Sequence, residues 1–163
     1  MIARTTVLTP LGPFTVFAED SGVVRTSFDE DLADHDIDVL EDERTSSIRR
    51  EVEAYFDGTL RSFETPADLS GLGEGFARRV LETVRTIPYA QMWTYGDVAA
   101  AAGVPRAGRA AGRALARCPI ELFVPCHRVV RAGPSLGSYG RHDDRRRYLL
   151  RLEGALPDGS LGP

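Results

Sequence analysis

A thiol and an imidazole stand side by side at Cys126-His127, with Pro125 before them and Arg128-Val129 after. A thiol is a poor nucleophile until it becomes a thiolate, and a neighbouring histidine can take the proton, directly or through one water. The pair follows an apolar run, Ile120 to Val124, broken only by Glu121. Proline on one side and arginine on the other are expected to fix the backbone at the exit of a buried strand. The plainer reading of a Cys-His pair is a buried cysteine beside a surface histidine. The rest of the C-terminal half decides between the two.

Upstream of the pair lie the elements that would have to position it. Phe76, Val80, Leu81 and Val84 share one face of a helix expected from about Glu74 to just before Ile87-Pro88. Thr94-Tyr95-Gly96-Asp97 has the T-x-x-D spacing of a helix start, so Val98 to Ala102 should be helical up to Gly103. Gly103-Val104-Pro105 makes a tight turn, and a second helix is expected from about Arg106 to Arg117. Two short helices joined by a Gly-containing turn, the second carrying Arg106, Arg109, Arg113 and Arg117, form a candidate helix-turn-helix. Its other residues are Ala107, Gly108, Ala110, Ala111, Gly112, Ala114 and Leu115. Side chains this small let a backbone approach a partner closely, the walls of a DNA groove included. They serve equally for a helix packed tightly on its neighbours with its arginines in water.

The N-terminal half reads differently. Thr5 to Leu8, Phe14 to Phe17 and Val23 to Phe28 are expected strands, separated by turns at Pro10-Leu11-Gly12-Pro13 and Asp20-Ser21-Gly22. Asp29 to Glu43 holds nine acidic residues and no basic one, most simply a solvated loop. Ser46-Ser47 should cap a helix with Ile48, Val52, Tyr55 and Phe56 on one face, stopped at Gly58. Pro66 to Gly75 looks like a linker between a small N-terminal α/β unit and a mostly helical C-terminal one.

Length and composition narrow the class. The 163 residues are 42% apolar and 27% charged, as in a soluble globular protein, and can bury a real core. No apolar stretch approaches the roughly 18 residues of a membrane span, so no membrane partner is expected. Met1 to Thr5 lacks the layout of a secretory signal, and two cysteines make no disulfide framework; a cytoplasmic location is expected. Residues 1–74 carry 17 Asp/Glu against 6 Arg, a net −11, while residues 75–154 carry 6 against 14, a net +8. That asymmetry, hidden in an overall −4, points to a polyanion partner for the arginine-rich half. Every Lys/Arg position is arginine, which a genomic base-composition bias explains without any function.

Together these residues resemble the O6-alkylguanine-DNA alkyltransferases, the methylated-DNA–protein-cysteine methyltransferases. The likeness runs from about Phe76 through Gly154. It is carried by Ile87-Pro88-Tyr89, Thr94 to Ala99, Arg109-Ala110, Val124 to Val130, Gly137-Ser138-Tyr139-Gly140 and Leu149 to Gly154. The resemblance implies an α/β architecture. A small ribonuclease H-like domain, a β-sheet plus helix, occupies residues 1–70, and a mostly helical domain with a helix-turn-helix occupies residues 71–163.

The resemblance also implies roles. Cys126 matches the acceptor that attacks the alkyl carbon on guanine O6 (the same chemistry extends to O4-alkylthymine). His127 matches its base through a water, Glu153 the carboxylate that orients that imidazole, and Tyr95 the phenol that stabilises charge on the leaving guanine. Val129 would offer a carbonyl to the guanine amino group, and Pro125, Tyr139 and Gly140 complete the pocket. Arg109 matches the arginine that replaces a flipped nucleotide in the stack, with Arg106, Ala110, Arg113 and Arg131 along the DNA. The thioether product is not hydrolysed, so each molecule should react once. The implied partner is double-stranded DNA containing O6-alkylguanine, met by a monomer with no cofactor.

Departures from the family pattern matter as well. Cys118 stands where members usually have an asparagine bracing the helix-turn-helix; it reads either as a small filler or as a second thiol able to pair with Cys126. Gly140 to Asp144 replaces a small glycine-rich loop after Tyr139. Some relatives bind zinc through N-terminal Cys and His, whereas here only His35 is present, so no metal is expected. Two other readings remain beside alkyl transfer. One is a non-catalytic relative that binds alkylated DNA and flags it for other repair; the other is a thiol hydrolase unrelated to DNA.

Overall fold

Three N-terminal runs bounded by turn residues pair into one antiparallel meander. β1 (Ala3–Thr9), β2 (Gly12–Glu19) and β3 (Gly22–Ser27) lie in that order in the sheet, and each contains most of its expected run. The structure is a computed structural model and describes residues 2–29, 42–131 and 143–156. Tyr139, Gly140 and most of the acidic Asp29–Glu43 stretch lie outside the described residues. The first turn is tighter than Pro10 to Pro13, because Gly12 and Pro13 already pair with Thr9 and Leu8. Pairing to β3 begins only at Thr15, so the missing N–H of Pro13 costs nothing on that side.

The helix that covers this sheet, α1 (Glu43–Phe56), is capped by Asp42 and not by Ser46-Ser47. The Asp42 carboxylate accepts from Arg44 N and Thr45 N at 2.9 and 3.2 Å, and the Thr45 hydroxyl takes the Asp42 N–H in return. That reciprocal pair satisfies the first-turn donors four residues earlier and leaves the serines inside the helix. Ile48, Val52 and Tyr55 are buried against the sheet, while Phe56 is only half-buried.

The chain forms two compact units: Met1–Gly71 with Pro119–Phe123, and Leu72–Cys118 with Val124–Pro163. The expected linker is in its first half part of the first unit. Val23 N donates to Pro66 O and Asp68 N to Val23 O, both at 2.8 Å, and Leu69 is buried. A Cβ at Gly22 would lie 2.3 Å from Pro66 O, so this close approach requires glycine. The inserted segment is held by Thr26, whose N–H donates to Pro119 O at 2.9 Å and whose hydroxyl donates to Glu121 O at 3.0 Å.

Consequently the apolar run ahead of Cys126 is not a strand. Leu122 has φ +75° at the centre of a three-residue turn closed by Phe123 N donating to Glu121 O at 3.0 Å. Ile120, Leu122, Phe123 and Val124 are buried all the same. A buried turn gives the same apolar run as a core strand, and periodicity cannot separate the two.

The second unit contains α2 (Phe76–Val84), β4 (Trp93–Thr94), α3 (Tyr95–Ala101), α4 (Gly108–Ala116), β5 (Val129–Val130) and α5 (Asp143–Leu152). β4 and β5 pair in parallel, Trp93 with Val129 and Thr94 with Val130. Thr94 and Asp97 form the expected capping box of α3. Gly103, at φ +92°, ends that helix, with Gly103 N bonded to Ala100 O and Val104 N to Ala99 O. The next helix begins at Gly108, later than Arg106, because Ala107 N closes a turn onto Val104 O across Pro105.

Candidate active site

Cys126, His127 and Arg128 make up a single 3₁₀ turn entered through Pro125 and leading straight into β5. Cys126 N donates to Val124 O at 2.8 Å and Arg128 N to Pro125 O at 3.0 Å, so the backbone of the turn is fixed on both sides. All three side chains are buried. Polar groups at such depth need partners, and the partner here is Glu153, only 4% exposed.

Glu153 is delivered by the end of α5. Its N–H still bonds Leu149 O at 3.0 Å, and Gly154 then turns the chain at φ +77°, with Ala155 N bonded to Leu150 O at 2.9 Å. One carboxylate oxygen accepts from Arg128 Nε at 2.8 Å; the other accepts from Arg128 Nη2 at 3.0 Å and meets His127 Nε2 at 2.7 Å. The guanidinium completes its bonding to Ile87 O through Nη1 at 2.7 Å and lies 5.7 Å from the centre of the Tyr89 ring. Ala90, held at φ +66°, directs its N–H to the same carboxylate at 3.4 Å. Arg128 is thus the counter-ion that makes a buried Glu153 tenable.

These contacts settle the protonation chemistry. Burial pushes the Glu153 carboxyl up, but hydrogen bonds from His127 and Arg128 outweigh it and hold the group far below the usual carboxylate range. An ionised carboxylate facing Nε2 makes Nε2 the protonated nitrogen and leaves Nδ1 as the basic one. Burial holds the His127 imidazole below its ordinary value against the pull of Glu153, and the charges of Arg128 and Arg146 act in the same direction as burial. The result is an imidazole held neutral and oriented by Glu153, next in the chain to the buried Cys126, an arrangement whose chemistry allows a base.

Tyr95 opens α3, one residue beyond the strand that pairs with β5. A Cβ at Gly112 of α4 would touch its ring at 3.6 Å, and one at Gly108 would touch Gly96 N at 3.7 Å. The two glycines, one turn apart, therefore seat α4 on Tyr95 and Gly96. Two of the small residues on this helix thus pack on α3, beside the groove-facing role that the resemblance implies for its surface. Arg106, Arg109, Arg113 and Arg117 are all exposed, and Ala110 is half-buried beside them.

Sequence reasoning missed two residues. Arg128 had been given only a backbone role, although an arginine flanked by Val124 and Val129-Val130 requires a buried counter-charge. Arg145-Arg146-Arg147 lies in the first half of α5 and is half-buried, with Arg146 Nη1 3.4 Å from the Tyr95 hydroxyl. Val129 is buried and Arg131 exposed. Cys118 is half-buried just after α4, and Cys118 and Cys126 are both reduced thiols. Among the described residues no His, Cys, Asp and Glu cluster could hold a metal ion, and no helix is long and apolar enough to cross a membrane.

Two family models cover nearly all of the chain. The DNA-binding domain of 6-O-methylguanine DNA methyltransferase matches residues 75–155, and the ribonuclease-like domain of the same proteins matches residues 2–69. The chain is 36% identical over 149 residues to a methylated-DNA–protein-cysteine methyltransferase of Methanosarcina acetivorans, covering 90% of this chain and 94% of that protein. It is 33% identical over 156 residues to the constitutive one of Bacillus subtilis, covering 91% and 93%. A crystal structure of Mycobacterium tuberculosis OGT in complex with DNA superposes with a TM-score of 0.80 at 33% identity, covering 96% of each chain. Sequence, fold and relatives agree: the chain belongs to the methylated-DNA–protein-cysteine methyltransferase family.

Proposed function

We propose that this chain repairs O6-alkylguanine in duplex DNA by moving the alkyl group irreversibly onto Sγ of Cys126. The buried relay of Cys126, His127 and Glu153, with its 2.7 Å imidazole–carboxylate contact, carries the reading. His127 Nδ1 takes the thiol proton through a water. The thiolate attacks the alkyl carbon, the S–C bond forms as the C–O6 bond breaks, and the bonding pair leaves with guanine. Tyr95 donates its O–H to that leaving base. The thioether has no route back, so each molecule acts once and needs no cofactor. O4-alkylthymine offers the same alkyl–oxygen bond and is a second substrate of the same step.

The target atom lies inside the stack, so the nucleotide must rotate out, at a cost of a few kcal/mol. In this reading α3 and α4 are a helix-turn-helix that enters the minor groove, with Arg109 filling the vacated place. Arg106, Arg113 and Arg131, with Ala110, run along the backbone; their exposure supports this assignment. Val129, Pro125, Tyr139 and Gly140 line the base pocket. Residues 1–70 form the accompanying domain and residues 71–163 the working one, a division supported by the reach of the two family models. The protein acts as a monomer in the cytoplasm.

Replacing the nucleophile tests the proposal. Cys126→Ser keeps the shape but not the thiolate. It should bind duplex DNA carrying O6-methylguanine as the parent does, measured by fluorescence anisotropy, and take up no label from it. Uptake of label by the serine variant would show that the acceptor is elsewhere.

A further inference from the structure

We infer that Arg146 is a positioning residue for alkyl transfer: its guanidinium holds the Tyr95 phenol by the oxygen and turns the O–H toward the leaving base. The inference rests on the role of Tyr95 given above. A guanidinium can only donate, so in the 3.4 Å contact from Arg146 Nη1 the phenol oxygen is the acceptor. A phenol has one O–H, and with its oxygen engaged from the arginine side that hydrogen is presented elsewhere. The ring lies close to Gly112 of α4, within 3.6 Å of where a Cβ there would stand, and the arginine acts on the rotation of the hydroxyl.

The geometry of α5 gives the second argument. Arg146 lies in α5 and Glu153 directly follows its last residue, seven positions on and about two turns along the same side, with Glu153 N still bonded to Leu149 O. Glu153 orients the imidazole that removes the thiol proton, while Arg146 reaches the phenol that serves the leaving group. One helix therefore braces both ends of the displacement. At His127 the charge of Arg146 only adds to burial and to Arg128 in disfavouring the imidazolium, so its effect on transfer runs through the phenol.

The test uses the full-length protein and free O6-benzylguanine, which needs no DNA contact. Transfer rates are compared for the parent, Tyr95→Phe, Arg146→Gln, Arg146→Lys and the double variant Tyr95→Phe/Arg146→Gln, with thermal unfolding as the check on folding. Arg146→Met, which keeps the aliphatic stem, replaces the glutamine variant if that one melts early. Loss of a charge-assisted hydrogen bond should slow Arg146→Gln by about tenfold. Arg146→Lys should recover part of the rate, and the double variant should be no slower than Tyr95→Phe alone, because the arginine acts through the hydroxyl. Losses that multiply in the double variant, or a loss seen only on duplex DNA, would overturn the inference and leave Arg146 as a phosphate contact. If Tyr95→Phe itself reacts at the parent rate, the role of Tyr95 fails first and the inference with it.

Discussion

Glu153 sits where a carboxylate is least welcome, buried and at the C-terminal end of a helix whose dipole is negative there. Arg128 makes the position tenable with two bonds to the carboxylate and a third to Ile87 O. Arg128→Gln should therefore destabilise the protein by about 3–5 kcal/mol, the usual cost of stripping one partner from a buried ion pair, read from urea unfolding. The pH dependence follows from the same contacts. His127 and Glu153 both have folded pKa values below their unfolded ones, so the unfolded chain binds more protons as pH falls. The His127 contribution to stability is complete above about pH 6.5 and is lost as pH drops through its folded value; that of Glu153 is complete above about pH 4.3 and is lost only in strong acid. Stability should decline from pH 7 to pH 5 in the parent and less in His127→Gln, while the transfer rate should hold below pH 6.5. A rate that halves at or above pH 6.5 would contradict a neutral, depressed imidazole. The adjacent Cys126-His127 pair was visible in the sequence. The partner of Arg128 was not, because 25 residues separate it from Glu153.

At the scale of elements, the stripe of exposed arginines and the stripe of glycines on α4 do different work. The glycines bring α4 onto Tyr95; the arginines face outward. Arg109→Ala should slow repair of duplex DNA by roughly tenfold or more while reaction with free O6-benzylguanine stays within about twofold, since only the duplex requires base flipping. Equal losses on the two substrates, measured by single-turnover kinetics, would instead identify a folding defect. The capping box of α3 was readable because its T-x-x-D spacing is local. Two other elements misled for physical reasons. Asp42 outcompeted Ser46-Ser47 as a cap through its reciprocal bond with Thr45, and the buried turn at Leu122 mimicked a strand because burial, and not pairing, selects apolar residues.

Across the whole molecule, charge is divided between the halves of the sequence, −11 in residues 1–74 and +8 in residues 75–154. The exposed arginines of α4 give the positive half a surface for a polyanion. The order of β1 to β3 and of α1 to α4 was legible from turn residues and periodicity, whereas the short β4 and β5 and the arginine-rich α5 were not. The detour of Pro119–Phe123 into the first unit was not, because five residues carry no local sign of a distant partner. That detour ends at Phe123, three residues before the nucleophile, and is held by contacts the sequence does not display. Single use is likewise a property of the whole molecule, since nothing in the proposed reaction regenerates the thiol. The most direct measurement is intact mass spectrometry after incubation with excess duplex DNA carrying O6-methylguanine, followed by peptide mapping. One methyl group per molecule is expected, on the peptide containing Cys126 and absent from Cys118. Methyl on another residue, more than one per molecule, or repaired DNA with an unmodified protein would contradict the account.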